Sequence, residues 1–479
     1  MKNNVNTKKV IRSGVGYIVG NYLIKGLSFL TIPIFTRLMT ISDYGLFNIF
    51  VAYESFLSIF IGLAINSSYK NAKYKYAKDE KLSYNGYVSS TMILLIASGS
   101  IWLLAIILLS IKKINIIEID IISMFILVLY SFGIACINCY NSYVALEFKS
   151  GNYVLISGIN AISNIMISIL LMLTILSNNR YYARIVGCTL PIMAISLWII
   201  VQFLKKSKPS NILEYWKWGI KYSIPIIPHG ISQIVLSQFD RIMINKMIGS
   251  LSAGIYSFAY NIFAIVQVTS SSLDNAWTPW FFEQMKEKNY KEIKQKSAIY
   301  IMCMAFFIII VMMISPEIVK LLGTKQYWES MHSVIPILAG GFFAFLYTIP
   351  SGIEYFYEKT KCIAFGSVIA AVINIVLNYF FIKKYGYLAA AYTTLFTYVV
   401  YFVFHYILAK RIHGYNVFSN IVIGLSSFGV ILFSFIAELL VEKFIFRYII
   451  VLIFLIIFFY MEEKYYGILK KIMYKNKKD

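Results

Sequence analysis

Windows of about 20 predominantly apolar residues, each long enough to cross a bilayer as a helix, recur along almost the whole chain. They fall near residues 13–38, 44–66, 84–110, 117–141, 152–177 and 181–204, then near 219–247, 252–280, 298–322, 331–356, 362–382, 387–409, 418–440 and 444–462. Hydrocarbon offers no partner to a backbone N–H or C=O, so segments of this length must be helices. The expected fold is therefore an all-α polytopic membrane protein with about 14 transmembrane helices. Composition agrees: 59% of residues are hydrophobic and 14% are charged, which overrides reading the 479 residues as several soluble domains.

A formal net charge of +22 would point to nucleic acid in a soluble protein, but here the lysines cluster in alternate loops. Lys70, Lys73, Lys75, Lys78 and Lys81 mark one cluster, and Lys205, Lys206, Lys208, Lys217 and Lys221 a second. Lys286, Lys288, Lys291, Lys294 and Lys296 form a third, and Lys464 to Lys477 the tail. The positive-inside rule then places both termini in the cytoplasm and assigns the charge to topology, with no nucleic-acid partner. The first apolar run extends to about Met39, too long for a cleaved signal, so it is expected to be retained. Five cysteines, at 136, 139, 188, 303 and 362, all lie in apolar segments, so no disulfide scaffold is expected. Cys136-x-x-Cys139 has no second cysteine pair or nearby histidine and reads as small residues within a helix, not as a metal or redox motif.

The chain repeats itself. Residues 37–50 align without gaps on residues 246–259, an offset of 209 that places Gly45 on Gly254 and Phe47 on Tyr256. Both copies join the first and second helix of a six-helix half. Six is even, so the halves share an orientation, as parallel repeats about an axis along the membrane normal. The expected organisation is an N-terminal lobe at 13–204, a cytoplasmic linker at 205–218, a C-terminal lobe at 219–412, an extra helix pair at 413–464 and a basic cytoplasmic tail at 465–479.

Arg37-Leu-Met, followed by Asp43-Tyr-Gly45 and Phe47, resembles the first-loop signature of the Wzx-like O-antigen and polysaccharide flippases. Pro225-x-x-Pro228-His-Gly, Asp240-Arg241-x-Met-Ile, Gly249 and Gly254-x-Tyr256 resemble the matching second-half pattern. These flippases share the multidrug/oligosaccharidyl-lipid/polysaccharide exporter superfamily with multidrug extruders and the peptidoglycan-precursor flippase, which are the alternative functions for this chain. The resemblance implies two six-helix lobes in a V, MATE-like, in a bacterial inner membrane. It implies as cargo an oligosaccharide on undecaprenyl pyrophosphate, moved from inner to outer leaflet by alternating access in a single chain coupled to H+ or Na+, alongside polysaccharide polymerase machinery. No cofactor or metal is implied.

Charges inside the spans identify the candidate site, because each costs roughly 2.5–3.5 kcal/mol on insertion scales and normally faces a bundle interior or wet cavity. His229, Gln233, Ser237 and Asp240 recur at helical spacing on one span, and Gln267, Ser271, Asp274 and Thr278 on the next, as two cavity-lining stripes. Lys25, with Asn21 and Ser28 on its face, is the one basic residue that this topology leaves deep in the membrane. With Arg241, Asn21 and Gln233 it is the candidate for the pyrophosphate head group; an ion pair with Glu54 is the alternative. Glu54, Asp274 and Asp240 are candidates for ion coupling or counter-charge. Pro225 and Pro228 should bend the seventh span beside His229 as a gating hinge, and Arg37 and Asp43 flank a turn expected to clamp the lobes. Asn160, Asn164, Asn374, Asn378, Thr393, Thr397 and Tyr401 add polar faces suited to interhelical hydrogen bonds or sugar hydroxyls. A membrane-embedded polymerase or glycosyltransferase is disfavoured, since no long outer loop and no Asp-x-Asp is present.

Overall fold

The computed structural model describes residues 7–77, 82–112, 119–208 and 211–461. Every regular element among them is helical. In order these are α1 (Thr7–Leu30), α2 (Ile32–Leu38), α3 (Ile41–Gly62), α4 (Tyr69–Lys75), α5 (Tyr84–Ile111), α6 (Ile121–Leu146), α7 (Ser150–Leu173) and α8 (Arg180–Lys206). Then come α9 (Ile212–Ser223), α10 (Ile227–Ile234), α11 (Asp240–Ile248), α12 (Ser250–Glu287) and α13 (Tyr290–Leu322). The chain continues through α14 (Met331–Leu346), α15 (Thr348–Phe356), α16 (Thr360–Tyr385), α17 (Tyr387–His413), α18 (Asn420–Leu439) and α19 (Phe444–Met461).

Among the described residues, 11 helices are long and apolar enough to cross a membrane. The other three expected spans also fall on helical chain, but on chain that is broken or short. The first divides at Thr31, where Pro33 in the opening turn of α2 has no N–H to continue the ladder of α1. The seventh is assembled from α9, α10 and α11, and the last is α19, with a shorter apolar stretch at Phe444–Ile457. The break between the first two spans lies at Met39 and Thr40. Thr40 caps α3, its hydroxyl accepting the Asp43 N–H at 3.1 Å and donating to the Asp43 carboxylate at 2.8 Å.

The chain divides into two compact units, residues 1–257 with 378–383, and residues 258–377 with 384–479. In the first, α8 packs against α6 and α7, and α3 against α6. Rings from Tyr69, Tyr76, Tyr87, Tyr215 and Trp218 meet at centroid distances of 5.2–5.9 Å, mostly edge to face, a geometry that adds about 0.5–1.5 kcal/mol per pair. Tyr215 also accepts the Ser83 N–H at 2.8 Å. Thus α9, which begins inside the stretch expected as a polar linker, is fastened to the start of α5.

In the second unit α17 packs on α14 and α15, while α18 and α19 pack on α13. Arg447 near the start of α19 is 1% exposed. Its guanidinium grips Glu317 of α13 through two bonds, 2.5 Å to Oε1 and 2.7 Å to Oε2, and also donates to the Met313 carbonyl. A planar fork matched to a carboxylate is the geometry in which a buried pair holds best.

Candidate functional site

The seventh span departs most from regular helix. Pro225 lies in a 3₁₀ turn, Ile224–Ile226, and Pro228 in the first turn of α10. A π turn, Val235–Phe239, then joins α10 to α11. Prolines withdraw backbone donors and a π turn packs more residues into each revolution, so helical phase is lost twice within this span. The stripe expected from His229 to Asp240 is therefore divided. His229, Gln233 and Ser237 are half-buried, whereas Asp240 is rotated into the interior and is 1% exposed.

There Asp240 accepts two hydrogen bonds, from the Tyr256 hydroxyl to Oδ2 at 2.7 Å and from the Asn378 amide to Oδ1 at 2.6 Å. Arg241 is also buried, and it donates to the Ser237 carbonyl at 3.2 Å and to the Gln238 side chain. Both residues thus serve as interior polar partners of the π turn and of α16 residues 378–383.

The two repeat-related turns meet. A Cβ placed on Gly45 would lie 2.1 Å from the Ser250 carbonyl oxygen and 2.8 Å from the Gly254 nitrogen; one placed on Gly254 would lie 2.3 Å from the Ile41 carbonyl oxygen. Only glycine permits that approach. Ser42 and Ser250 join the same contact through their hydroxyls at 2.5 Å. Arg37 and Asp43 take local partners instead: Arg37 is exposed and bonds the Pro33 carbonyl at 2.9 Å, and Asp43 completes the Thr40 cap.

Lys25 is exposed on α1, and Glu54 is buried on α3 at 7% exposure. Ion pairs form at Lys73–Glu147, His332–Glu438, His405–Glu354 and Arg447–Glu317, and neither Lys25 nor Glu54 is in one of them. The side chain of Asn21 lies outside the described ones. Lys25 is not the sole cation in the spans, because Arg184 and Arg447 are inside helices as well. Arg184 donates through Nη1 to Asn164 at 2.5 Å and Ser168 at 2.8 Å on α7, and its guanidinium lies over the rings of Phe35 and Phe47 at 3.9 and 4.6 Å. Asn164 is therefore an interhelical partner.

In the second unit, Gln267 and Ser271 are exposed on α12, and Asp274 is half-buried with Thr278 Oγ1 at 3.5 Å from its carboxylate. Asn374 donates to Thr394 at 3.1 Å. Two further charged residues pair deep in this unit, Glu354 with His405. Sequence reasoning passed over Arg184, Glu354 and His405, although an ionisable residue inside an apolar span is itself the signal for a site. Cys136 and Cys139 are buried free thiols. No cluster of three or more His, Cys, Asp or Glu side chains able to hold a metal occurs among the described residues.

Residues 10–285 match the family model described as polysaccharide biosynthesis protein, and residues 225–380 match the MatE model. Lsg locus putative protein 1 of Haemophilus influenzae is 23% identical over 379 residues, covering 77% of this chain and 90% of that protein. The fold is shared with the lipid II flippase MurJ in an inward closed conformation, with a TM-score of 0.67 at 16% identity over 92% of this chain and 98% of that one. It is shared too with an inward-facing multidrug resistance MATE family transporter of the MOP superfamily, with a TM-score of 0.64 at 13% identity, covering 81% and 95% of the two chains.

Proposed function

The chain belongs to the polysaccharide biosynthesis protein family, and from that premise we propose that it is a flippase carrying an oligosaccharide on undecaprenyl pyrophosphate from the inner to the outer leaflet of a bacterial cytoplasmic membrane. The observation that carries the reading is Lys25, an exposed cation on α1 with no ion-pair partner among the described residues. A pyrophosphate cannot cross hydrocarbon bare, and it needs a cation that no carboxylate has already claimed. The fold shared with MurJ supports this cargo class, since that protein is a lipid II flippase.

In this reading Lys25, together with Asn21 and Gln233, receives the head group. Arg241 and Asp240 hold the seventh span, while Glu54 and Asp274 are the carboxylates available to an ion gradient. Pro225, Pro228 and His229 form the flexing part, because successive 3₁₀, α and π turns exchange hydrogen-bond partners without breaking the helix. Repeat-related turns at Gly45 and Gly254 form the contact that must part when the chain opens at that end, with Arg37 and Asp43 at its rim.

The test is flipping in proteoliposomes of a fluorescent undecaprenyl-pyrophosphate oligosaccharide by wild type and Lys25→Ala. Loss of flipping in the folded variant is the expected result. A wild type that moves organic cations and ignores the lipid-linked glycan would show that the fold has been applied to a different cargo.

A further inference from the structure

Thr393, Thr397, Tyr401 and His405 follow one another at intervals of four on α17, and all four are buried. This polar line runs through an otherwise apolar packing of α14, α15 and α17. It ends at a pair. His405 Nδ1 lies 2.6 Å from Glu354 Oε1 on α15, and both side chains are 0% exposed. The Lys73–Glu147, His332–Glu438 and Arg447–Glu317 pairs each keep at least one partner about a third exposed.

The pair is only half satisfied. His405 Nε2 and Glu354 Oε2 are buried and have no hydrogen-bond partner among the described residues. Nε2 faces α16 at Gly366, where an added Cβ would come within 3.1 Å of it. The rings of Tyr401, Phe404 and Tyr347 stand around the imidazole at centroid distances of 4.6, 5.3 and 5.6 Å. The titratable groups facing the pair are Tyr401 on α17 and Tyr347 between α14 and α15; Tyr355 on α15 interacts electrostatically with Glu354, and Asp274 on α12 with both Tyr347 and Tyr355.

We propose that Glu354 and His405 form a proton-binding site in the second unit. With Nδ1–H donated to Oε1 and Nε2 bare, the pair carries one net negative charge. A proton passed from hydronium to the Nε2 lone pair forms one N–H bond as an O–H bond breaks, returning neutral water and leaving an imidazolium against a carboxylate, a pair with no net charge. The emptied pair needs water at Nε2 and Oε2, because an uncompensated charge is costly to bury. The loaded pair can be sealed, as it is here. Loading and sealing are therefore linked, and a proton gradient acts on the protein through that linkage. Its use in moving cargo rests on the flippase reading; the site itself does not.

Two measurements test it. The chain has four histidines, so a variant combining His229→Asn, His332→Asn and His413→Asn leaves His405 as the sole imidazole with its pair untouched. In the ¹⁵N spectrum of that detergent-solubilised protein, Nε2 is expected to gain a proton in one step as pH falls, and the step is expected to move when Glu354→Gln is added. Ring nitrogens that stay unchanged over the pH range in which the protein remains folded would overturn the proposal. In proteoliposomes an imposed pH gradient is expected to accelerate wild-type flipping, while Glu354→Gln and His405→Gln flip at one rate with or without it. Variants that follow the gradient as wild type does would equally overturn the proposal. Titration of the ring with no movement of the glycan by wild type would sink the flippase reading and keep the proton site.

Discussion

Gly45 and Gly254, equivalent positions in the two repeats, pack backbone against backbone, so that a methyl group on either would sit 2.1–2.3 Å from a carbonyl oxygen of the other turn. Alanine at either position must push α3 and α12 apart. Overpacking of this kind costs about 1–3 kcal/mol, and thermal unfolding of Gly45→Ala and Gly254→Ala in detergent is expected to show it. The double variant should lose less than the sum, because the first alanine has already opened the gap that the second needs. Additive losses would mean that the two turns do not touch.

Asp240 has its two carboxylate oxygens committed to different helices. Asp240→Ala leaves the Tyr256 hydroxyl and the Asn378 amide buried without their acceptor, at about 1–3 kcal/mol for each orphaned group. Tyr256→Phe should cost much less in the Asp240→Ala background than in wild type. A double-mutant cycle by thermal or detergent unfolding measures this, and equal effects in both backgrounds would contradict the bond.

Arg184→Lys is expected to behave as a damaging change. An ammonium cannot keep both the Asn164 and Ser168 bonds while lying flat over Phe35 and Phe47. The loss should be about 1–2 kcal/mol, the scale of a desolvated cation on an aromatic face together with a hydrogen bond. Stability equal to wild type would show that charge alone matters there.

Most of the helical order was legible, because the period of apolar windows follows from the bilayer. All fourteen expected spans fall on helical chain, and the repeat predicted which glycines are equivalent. The interior of the seventh span was not legible. Pro225 and Pro228 announce a break, but nothing in Val-Leu-Ser-Gln-Phe announces the π turn, which depends on tertiary packing, and beyond it Asp240 is buried where His229, Gln233 and Ser237 are half-buried. Arg184, Glu354 and His405 are visible as letters but lie near the ends of their expected spans, where a polar side chain can ordinarily reach the interface. Their partners, Asn164, Ser168 and each other, are 16 to 51 residues away and only folding brings them together.

Glu147 gives a pH signature outside the spans. It follows the last residue of α6 and pairs with Lys73 at 2.8 Å. Burial pushes its carboxyl up, but the Lys73 hydrogen bond and charge, helped by Lys149 and Lys206, outweigh this and hold it below the ordinary range. A depressed native value means that the contribution is complete above the unfolded value of about 4.3 and is lost as pH falls through the lower native one. Glu147→Gln should therefore be less stable than wild type near neutrality, by about 0.5 kcal/mol for so exposed a pair. The gap between the two unfolding temperatures should close in acid and shrink in high salt. A gap that widens in acid would reverse the sign.

The grip of Arg447 on Glu317 imposes an order on biogenesis. Glu317 enters the membrane with α13, but the guanidinium that neutralises it is 130 residues further along the chain. Until α19 arrives, Glu317 lacks the guanidinium fork that holds both its oxygens in the folded chain, and Arg447 lacks its carboxylate. The two helices are therefore neutralised together, and only once both have been made. A chain cut before Arg447 would leave Glu317 on α13 without the guanidinium that grips it in the folded protein.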